Sequence, residues 1–278
     1  MLRIGMSMLC LLAMLAACGR GGAPDGGAAG SSAAPGAAAT GAVGPAVEAP
    51  VALEDVMQRD PRYLIGISYP PAAKAYPGLA KLLKAYADAA RAEVMQAVSG
   101  LGDARPTAPY DLALDFSMLA ETPDIVAVAA RGSSYTGGAH GNPLVARFVW
   151  LPKRGEALTA ARLVPVPDDW KPIADDVRDQ LVAGLSARVD AAAPVPGDRA
   201  EMLRNGSRMI DEGTAPTASN FDQFEPLLGP DGRIQSLRFV FPPYQVGPYS
   251  DGVQSADVPA AVLLPLVAPD YKALFEGG

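Results

Sequence analysis

His140 is the only histidine in the chain, and it lies in the glycine-rich stretch Tyr135-Thr136-Gly137-Gly138-Ala139-His140-Gly141-Asn142. An imidazole is the natural general base near neutral pH. A zinc site would need further histidine or cysteine ligands, and the chain has no G-x-S-x-G nucleophile motif. Two interpretations of His140 follow: a functional group at a poorly covered corner, or a packed side chain that satisfies backbone groups. Neither requires a metal or a cofactor.

The glycines around His140 indicate a tight change of chain direction. Gly137, Gly138 and Gly141 can adopt positive φ at little cost. Backbone N–H groups in such a corner could hold an anion, but a simple hairpin turn explains the same residues and is favoured. Tyr135 and Asn142 flank the corner, so we include them with Gly137, Gly138 and His140 as candidate ligand-binding residues.

A second candidate segment runs from Pro242 to Gly252 and carries Tyr244 and Tyr249. Prolines before both tyrosines place it at the edge of a sheet or at a crossing, because proline cannot donate to a strand ladder. Tyrosine has an apolar ring and a polar tip, which suits a binding interface. The alternative, that both rings brace the core, remains open.

The first 19 residues are arranged like a secretory signal. A short basic start is followed by an apolar run over Ile4 to Ala17, which is shorter than the roughly 20 residues that a membrane-spanning helix needs. The run ends in Leu15-Ala16-Ala17-Cys18-Gly19, which resembles the lipobox of bacterial lipoproteins. We therefore expect residues 1–17 to be a signal peptide that is removed, and Cys18 to carry acyl chains such as palmitate. Cys10 would leave with the signal peptide.

The predicted anchor has consequences for location. Two or more acyl chains hold a protein stably on a membrane. Gly19 is not the aspartate that usually retains lipoproteins at the inner membrane, so we expect the outer membrane of a Gram-negative bacterium, with the domain facing the periplasm. Residues 18–50 are almost entirely Gly, Ala, Pro, Ser and Thr, and this composition predicts a disordered tether.

The net charge of −7 argues against binding to nucleic acid or to an anionic membrane surface. Beyond residue 50 the hydrophobic periodicity predicts a mixed fold. Helices are expected near residues 77–98, 169–189 and 198–211. Strands are expected near residues 63–69, 112–118, 125–134, 144–151, 224–228 and 234–241. The order of these elements indicates an α+β protein with antiparallel sheets, each packed with one or two helices in two small subdomains.

Three stretches together resemble a known family. The Tyr135–His140 stretch resembles a Y-x-G-G-A-H signature, and Phe148–Leu158 resembles the strand–turn–strand that continues it. Phe239–Gly252 resembles an F-x-F-x-x-Y-x-V-x-P-Y-x-x-G stretch. Their order is similar to that of the domain of unknown function 3298 family with its N-terminal companion domain 4163. The resemblance implies a 4163-like subdomain over residues 51–153 and a 3298-like subdomain over residues 154–278.

These domains also occur in the extracytoplasmic part of a lysozyme-sensing anti-sigma factor and ahead of some peptidoglycan deacetylases. With its predicted lipid anchor and without a catalytic motif, the chain is expected to be a non-enzymatic envelope lipoprotein that binds a partner. The resemblance implies that this partner is a lysozyme-like muramidase or peptidoglycan. We expect this chain to carry the binding portion on its lipid anchor. The alternatives are an envelope hydrolase that uses His140 and a structural or accessory lipoprotein.

Overall fold

A computed structural model describes residues 51–278 of the chain. The predicted signal peptide, the predicted lipidation site Cys18 and the tether up to residue 50 lie outside the described residues. The strands are β1 (Val56–Asp60), β2 (Tyr63–Ser68), β3 (Tyr110–Glu121), β4 (Val126–Tyr135), β5 (Asn142–Leu151), β6 (Glu156–Ala157), β7 (Phe224–Leu228), β8 (Ile234–Phe241) and β9 (Gln254–Pro259). The helices are α1 (Pro77–Gly100), α2 (Ala160–Leu163), α3 (Trp170–Ala192), α4 (Pro196–Gly213) and α5 (Ala260–Leu263).

The first sheet contains six strands in sequence order, from β1 to β6. All neighbours are antiparallel except β2 and β3, which are parallel. Parallel neighbours need a long crossover, and α1 supplies it. The prediction of antiparallel sheets is therefore wrong for this one pair. Alternation in β3 places Leu112, Leu114 and Phe116 in the core beneath α1, as its hydrophobic period predicts.

The second sheet is the antiparallel meander β7–β8–β9. The turn between β7 and β8 lies at the predicted Gly229–Gly232, and Gly232 has a φ of +77° that favours glycine. Helix α3 packs over this sheet with its four-residue row of apolar side chains, which includes Ile173, Val177 and Leu181. The predicted α+β class, with two sheets packed with helices, is confirmed.

The two sheets share one core rather than standing apart. Ala127 and Val149 of the first sheet, with Ile125 just before β4, pack in the same cluster as Phe224 and Phe239 of the second, and residues 51–278 lie in one compact unit. The boundary predicted between residues 153 and 154 falls between β5 and β6, two strands of the same sheet. No helix within residues 51–278 has the length and apolar character required to cross a bilayer.

A buried ion pair joins the two sheets. Arg147 on β5 donates from Nε to Glu225 Oε2 on β7 at 2.5 Å, and the two side chains are only 3% and 8% exposed. The Arg147 backbone N–H also donates to Gln223 Oε1 at 2.7 Å. Burial lowers the pKa of Arg147, and its hydrogen bond to Glu225 opposes this shift. Each charge is therefore tolerated in the core only because the other is present.

A polar network extends from this ion pair across the second sheet. Arg238 on β8 lies 3.9 Å from Glu225 and donates two bonds, of 2.7 and 2.8 Å, to Asp257 on β9. The Asp257 backbone exchanges two hydrogen bonds with the side chain of Gln180 on α3. This network thus connects the first sheet, the second sheet and α3.

We predict that Glu225→Gln lowers the free energy of unfolding by about 3–5 kcal/mol, because it leaves Arg147 buried without a counter-charge. The double variant Arg147→Met/Glu225→Leu should recover most of this loss, since no charge then needs pairing. Urea denaturation measures both. As the control, Asp88→Asn removes the exposed Lys84–Asp88 pair and should cost about 1 kcal/mol or less. Equal losses for Glu225→Gln and Asp88→Asn would contradict a stabilising role for the pair.

Candidate functional site

The corner between β4 and β5 is a hairpin, as its glycines predict. Ser134 and Asn142 face each other at the ends of the two strands. Gly137 and Gly138 have φ values of +105° and +100°, which L side chains rarely adopt. The Tyr135 hydroxyl donates to the Gly138 carbonyl at 3.2 Å. This arrangement reverses the chain and leaves His140 exposed at the tip.

The segment between β8 and β9 begins with a turn that has the form of type II. The Gln245 N–H donates to the Pro242 carbonyl at 3.1 Å, Pro243 is the second residue of the turn, and Tyr244 is the third. Tyr244 has a φ of +75°, at a position that normally takes glycine or asparagine. The backbone at Tyr244 is therefore strained, a feature that clusters at functional sites.

The side chain of Gln245 ties this turn to the backbone of two other segments. The Gln245 amide donates to the carbonyls of Gly213, at 3.0 Å, and Asn220, at 2.9 Å. A Cβ on Gly213 would lie 2.0 Å from the Gln245 carbonyl oxygen, so the end of α4 approaches the turn only because residue 213 is glycine. These contacts fix Tyr244 with its ring directed outward and 54% exposed.

His140, Tyr244 and Tyr249 meet at the surface, and we call this group the aromatic corner. His140 Nε2 lies 3.0 Å from the Tyr244 hydroxyl, although the two residues are 104 positions apart. The His140 and Tyr249 rings stack with centroids 4.1 Å apart and planes inclined by 16°. The ring centroids of Tyr244 and Tyr249 are 5.9 Å apart, and Tyr249 is 39% exposed. The two segments singled out in the sequence thus form one exposed surface.

The hydrogen bonds of His140 define its tautomer. Nδ1 lies 3.1 Å from the Gly141 carbonyl, which can only accept, so Nδ1 carries the proton. In a neutral imidazole Nε2 is then an acceptor, and the Tyr244 hydroxyl donates to it. Both ring nitrogens are engaged within the protein. Within residues 51–278, no carboxylate makes a hydrogen bond to His140.

A groove of about 480 Å³ adjoins the aromatic corner, between α3, α4 and the segment from Val246 to Asp251. We call it the α3–α4 groove. Its apolar lining includes Leu185, Val189, Met202, Met209, Val246 and Pro248. Arg188 at its mouth donates to Gln254 Oε1 at 2.9 Å and lies 3.4 Å from Asp251. Exposed Met202 makes the groove adaptable, since methionine fits irregular partners.

The predicted site residues therefore divide into two sets. His140, Tyr244 and Tyr249 come together, whereas Tyr135, Gly137 and Gly138 shape the hairpin, and Asn142 is exposed at the start of β5. The sequence argument missed the groove residues of α3 and α4. Met202 and Met209, one heptad apart on a helix, are the signal that could have indicated them. In the described part of the chain, no group of three or more His, Cys, Asp or Glu side chains could hold a metal ion.

Comparisons with known proteins found similar solved structures. No family model matches the chain, and no curated protein matches it significantly. A DUF3298 family protein from Pseudomonas aeruginosa superposes with a TM-score of 0.49 at 16% identity, over 82% of this chain and 98% of that one. A DUF3298 family member from Bacteroides fragilis gives a TM-score of 0.48 at 16% identity, over 78% of this chain and 89% of that one. Both bear the family name that the sequence motifs resemble, and the likeness is too low to transfer a site.

We predict that Tyr244→Gly is more stable than Tyr244→Ala by about 1 kcal/mol, because both variants lose the ring but only glycine relaxes the positive φ. Thermal or urea unfolding measures the difference. At Tyr249, where φ is not positive, the order should reverse, with alanine the more stable. The same order of stability at both positions would contradict the strained turn.

Proposed function

We propose that this protein is a non-enzymatic cell-envelope lipoprotein whose folded domain binds a cationic, muramidase-like protein through the aromatic corner. The observation that supports this proposal best is the meeting of His140, Tyr244 and Tyr249 on one exposed surface. Tyrosines are enriched among the side chains that contribute most to protein interfaces. A strained backbone at Tyr244 is consistent with a residue kept for function.

The hydrogen bonds of His140 favour binding over hydrolysis. In a catalytic triad the histidine accepts at Nε2 from the nucleophile hydroxyl, and a carboxylate accepts from Nδ1–H, which orients the ring and stabilises the imidazolium that forms. Here Nδ1 donates to the uncharged Gly141 carbonyl instead of a carboxylate, and Nε2 accepts from the Tyr244 hydroxyl. The ring is thereby fixed as a flat platform beside Tyr249. A fixed platform loses little conformational entropy when a partner binds.

The nature of the partner rests on charge and on the family resemblance. The net charge of −7 attracts a cationic protein over long range and speeds its encounter. The muramidase class itself comes from the resemblance to the domain of unknown function 3298 family. Peptidoglycan, which the same resemblance implies, is the other outcome that the binding test distinguishes.

Lipidation at Cys18 would place this surface in the envelope. A flexible tether over residues 18–50 would have an r.m.s. reach of ~30 Å, which would allow the domain to meet a partner away from the lipid headgroups. Gly19 favours the outer membrane, with the domain in the periplasm.

We predict that His140→Ala and Tyr249→Ala each weaken binding of a lysozyme-type muramidase by about tenfold or more, measured by calorimetric titration. Leu119→Ala is the matched control, since Leu119 is 37% exposed against 39% for Tyr249 and lies outside the corner. Its affinity should equal that of the parent. Parallel titrations with purified peptidoglycan test the alternative ligand. No binding to the muramidase, or muropeptide cleavage that His140→Ala abolishes, would overturn the proposal.

We predict that Cys18→Ala releases the protein from the membrane fraction, because the acyl chains that retain it need the Cys18 sulfur. Membrane fractionation followed by blotting measures the distribution. Cys10→Ala is the control and should leave the protein with the membranes. A Cys18→Ala protein that still sediments with membranes would show that another feature anchors it.

A further inference from the structure

The outer edge of β1 is one of the two edges of the six-stranded sheet, and the two-residue strand β6 forms the other. Strand β1 pairs with β2 on one side, and no strand within residues 51–278 pairs with its other side. Such an edge presents unpaired backbone N–H and C=O groups, which can accept a further strand. The edge therefore needs either a partner or features that repel one.

The sheet surface beside this edge is also uncovered. Met57 on β1 is 73% exposed and Leu64 on β2 is 42% exposed. Ile65 and Ile67 of β2 point into the core beneath α1, so Leu64 and Gly66, which alternate with them, lie on the opposite face. Met57 lies on that face too, because it is paired with Gly66 in the antiparallel register. The second sheet packs against β3, β4 and β5 and leaves this part open. Met57 lines a depression of about 420 Å³ together with Gly66, Ala113 and Gly132.

Charge along this edge is arranged with opposite signs at its two ends. Glu54 and Asp55 precede β1, and Arg59 lies near the end of β1. The Asp55 carboxylate also accepts from the Tyr69 backbone N–H at 2.9 Å, which holds it at this end of the strand. Arg59 has no ion-pair partner within residues 51–278, whereas Asp60 pairs with Arg62 at 3.1 Å. An antiparallel copy of the same strand would bring each acidic end beside the basic end of its mate.

We infer that this edge pairs with β1 of a second copy of the chain, in an antiparallel register centred on Met57. A two-fold axis normal to the sheet keeps the same face of both copies on one side. Directly opposed residues of an antiparallel pair point to the same side of the sheet. The two-fold axis must therefore pass beside a residue that is opposed by the same residue of the second copy. Centring on Met57 places Asp55 of each copy opposite Arg59 of the other, and opposite-charge cross-strand pairs stabilise a sheet. It also places Glu54 opposite Asp60, whose charge is compensated by Arg62 of its own chain.

This pairing would join two six-stranded sheets into one of twelve strands. The exposed Met57 and Leu64 side chains of both copies would form a single apolar strip across the axis. A five-residue strand is ~17 Å long, so the interface belongs to the small, weak class. The dimer should therefore depend on protein concentration, and the aromatic corner plays no part in it.

Charge reversal tests the pairing on the purified full chain by analytical ultracentrifugation. Arg59→Glu and Asp55→Arg should each weaken the dimer by about tenfold or more, because each places like charges opposite one another. An equimolar mixture of the two variants should restore it, since both cross-strand pairs become attractive again. Tyr249→Ala is the control and should dimerise like the parent, which keeps this result separate from the binding of a partner at the aromatic corner.

Cross-linking tests the register. In a chain whose Cys10 and Cys18 are replaced by serine, Met57→Cys should form a covalent dimer on mild oxidation. Directly opposed residues have Cα atoms about 4.5–5.5 Å apart, within the range of a disulfide. Leu64→Cys, on the same face but one strand further in, should stay monomeric. A parent chain that remains monomeric up to about 1 mM, a mixture that fails to re-associate, or equal cross-linking at both positions would overturn the inference.

Discussion

The Arg147–Glu225 ion pair decides how the two sheets meet. Both side chains are almost completely buried, and a buried charge without its partner costs several kcal/mol. Any sliding of β7 along β5 would separate them and also break the bond from the Arg147 backbone to Gln223. Apolar packing between the sheets has no comparable directionality, since hydrophobic contacts tolerate many registers. The ion pair therefore supplies the specificity of this contact, and the shared aromatic and aliphatic core supplies most of its stability.

The aromatic corner depends on that contact. His140 lies at the far end of the β4–β5 hairpin, whereas Tyr244 and Tyr249 lie on the segment that leaves the second sheet. Because Arg147 fixes β5 against β7, the hairpin tip and the segment meet at the same edge of the molecule. The strained turn at Tyr244 is offset locally by the bonds from Gln245 to α4 and to Asn220. The site thus combines two separate loops, each held by hydrogen bonds and by the strands that flank it, which suits a preorganised binding surface.

The proposed contact surfaces lie on different elements. The aromatic corner and the α3–α4 groove belong to the β4–β5 hairpin, the second sheet and its helices, whereas β1 is the opposite edge strand of the six-stranded sheet. A dimer through β1 would leave both aromatic corners free.

The amino-acid sequence by itself determined the elements whose side chains repeat against a core. The period of α1 and α3, the alternation in β3 and the Gly-Pro-Asp-Gly turn before β8 each predicted a structure that is present. It also singled out His140, Tyr244 and Tyr249, because their residue types are rare or stiffened by proline. The lipid on Cys18 stays a prediction from sequence. Only the tertiary structure decided that β2 and β3 are parallel, that β1 and β9 are strands, and that three aromatic residues share one surface. Periodicity reports which face of an element is buried, but not which distant element covers it; that choice depends on long-range contacts such as Arg147–Glu225.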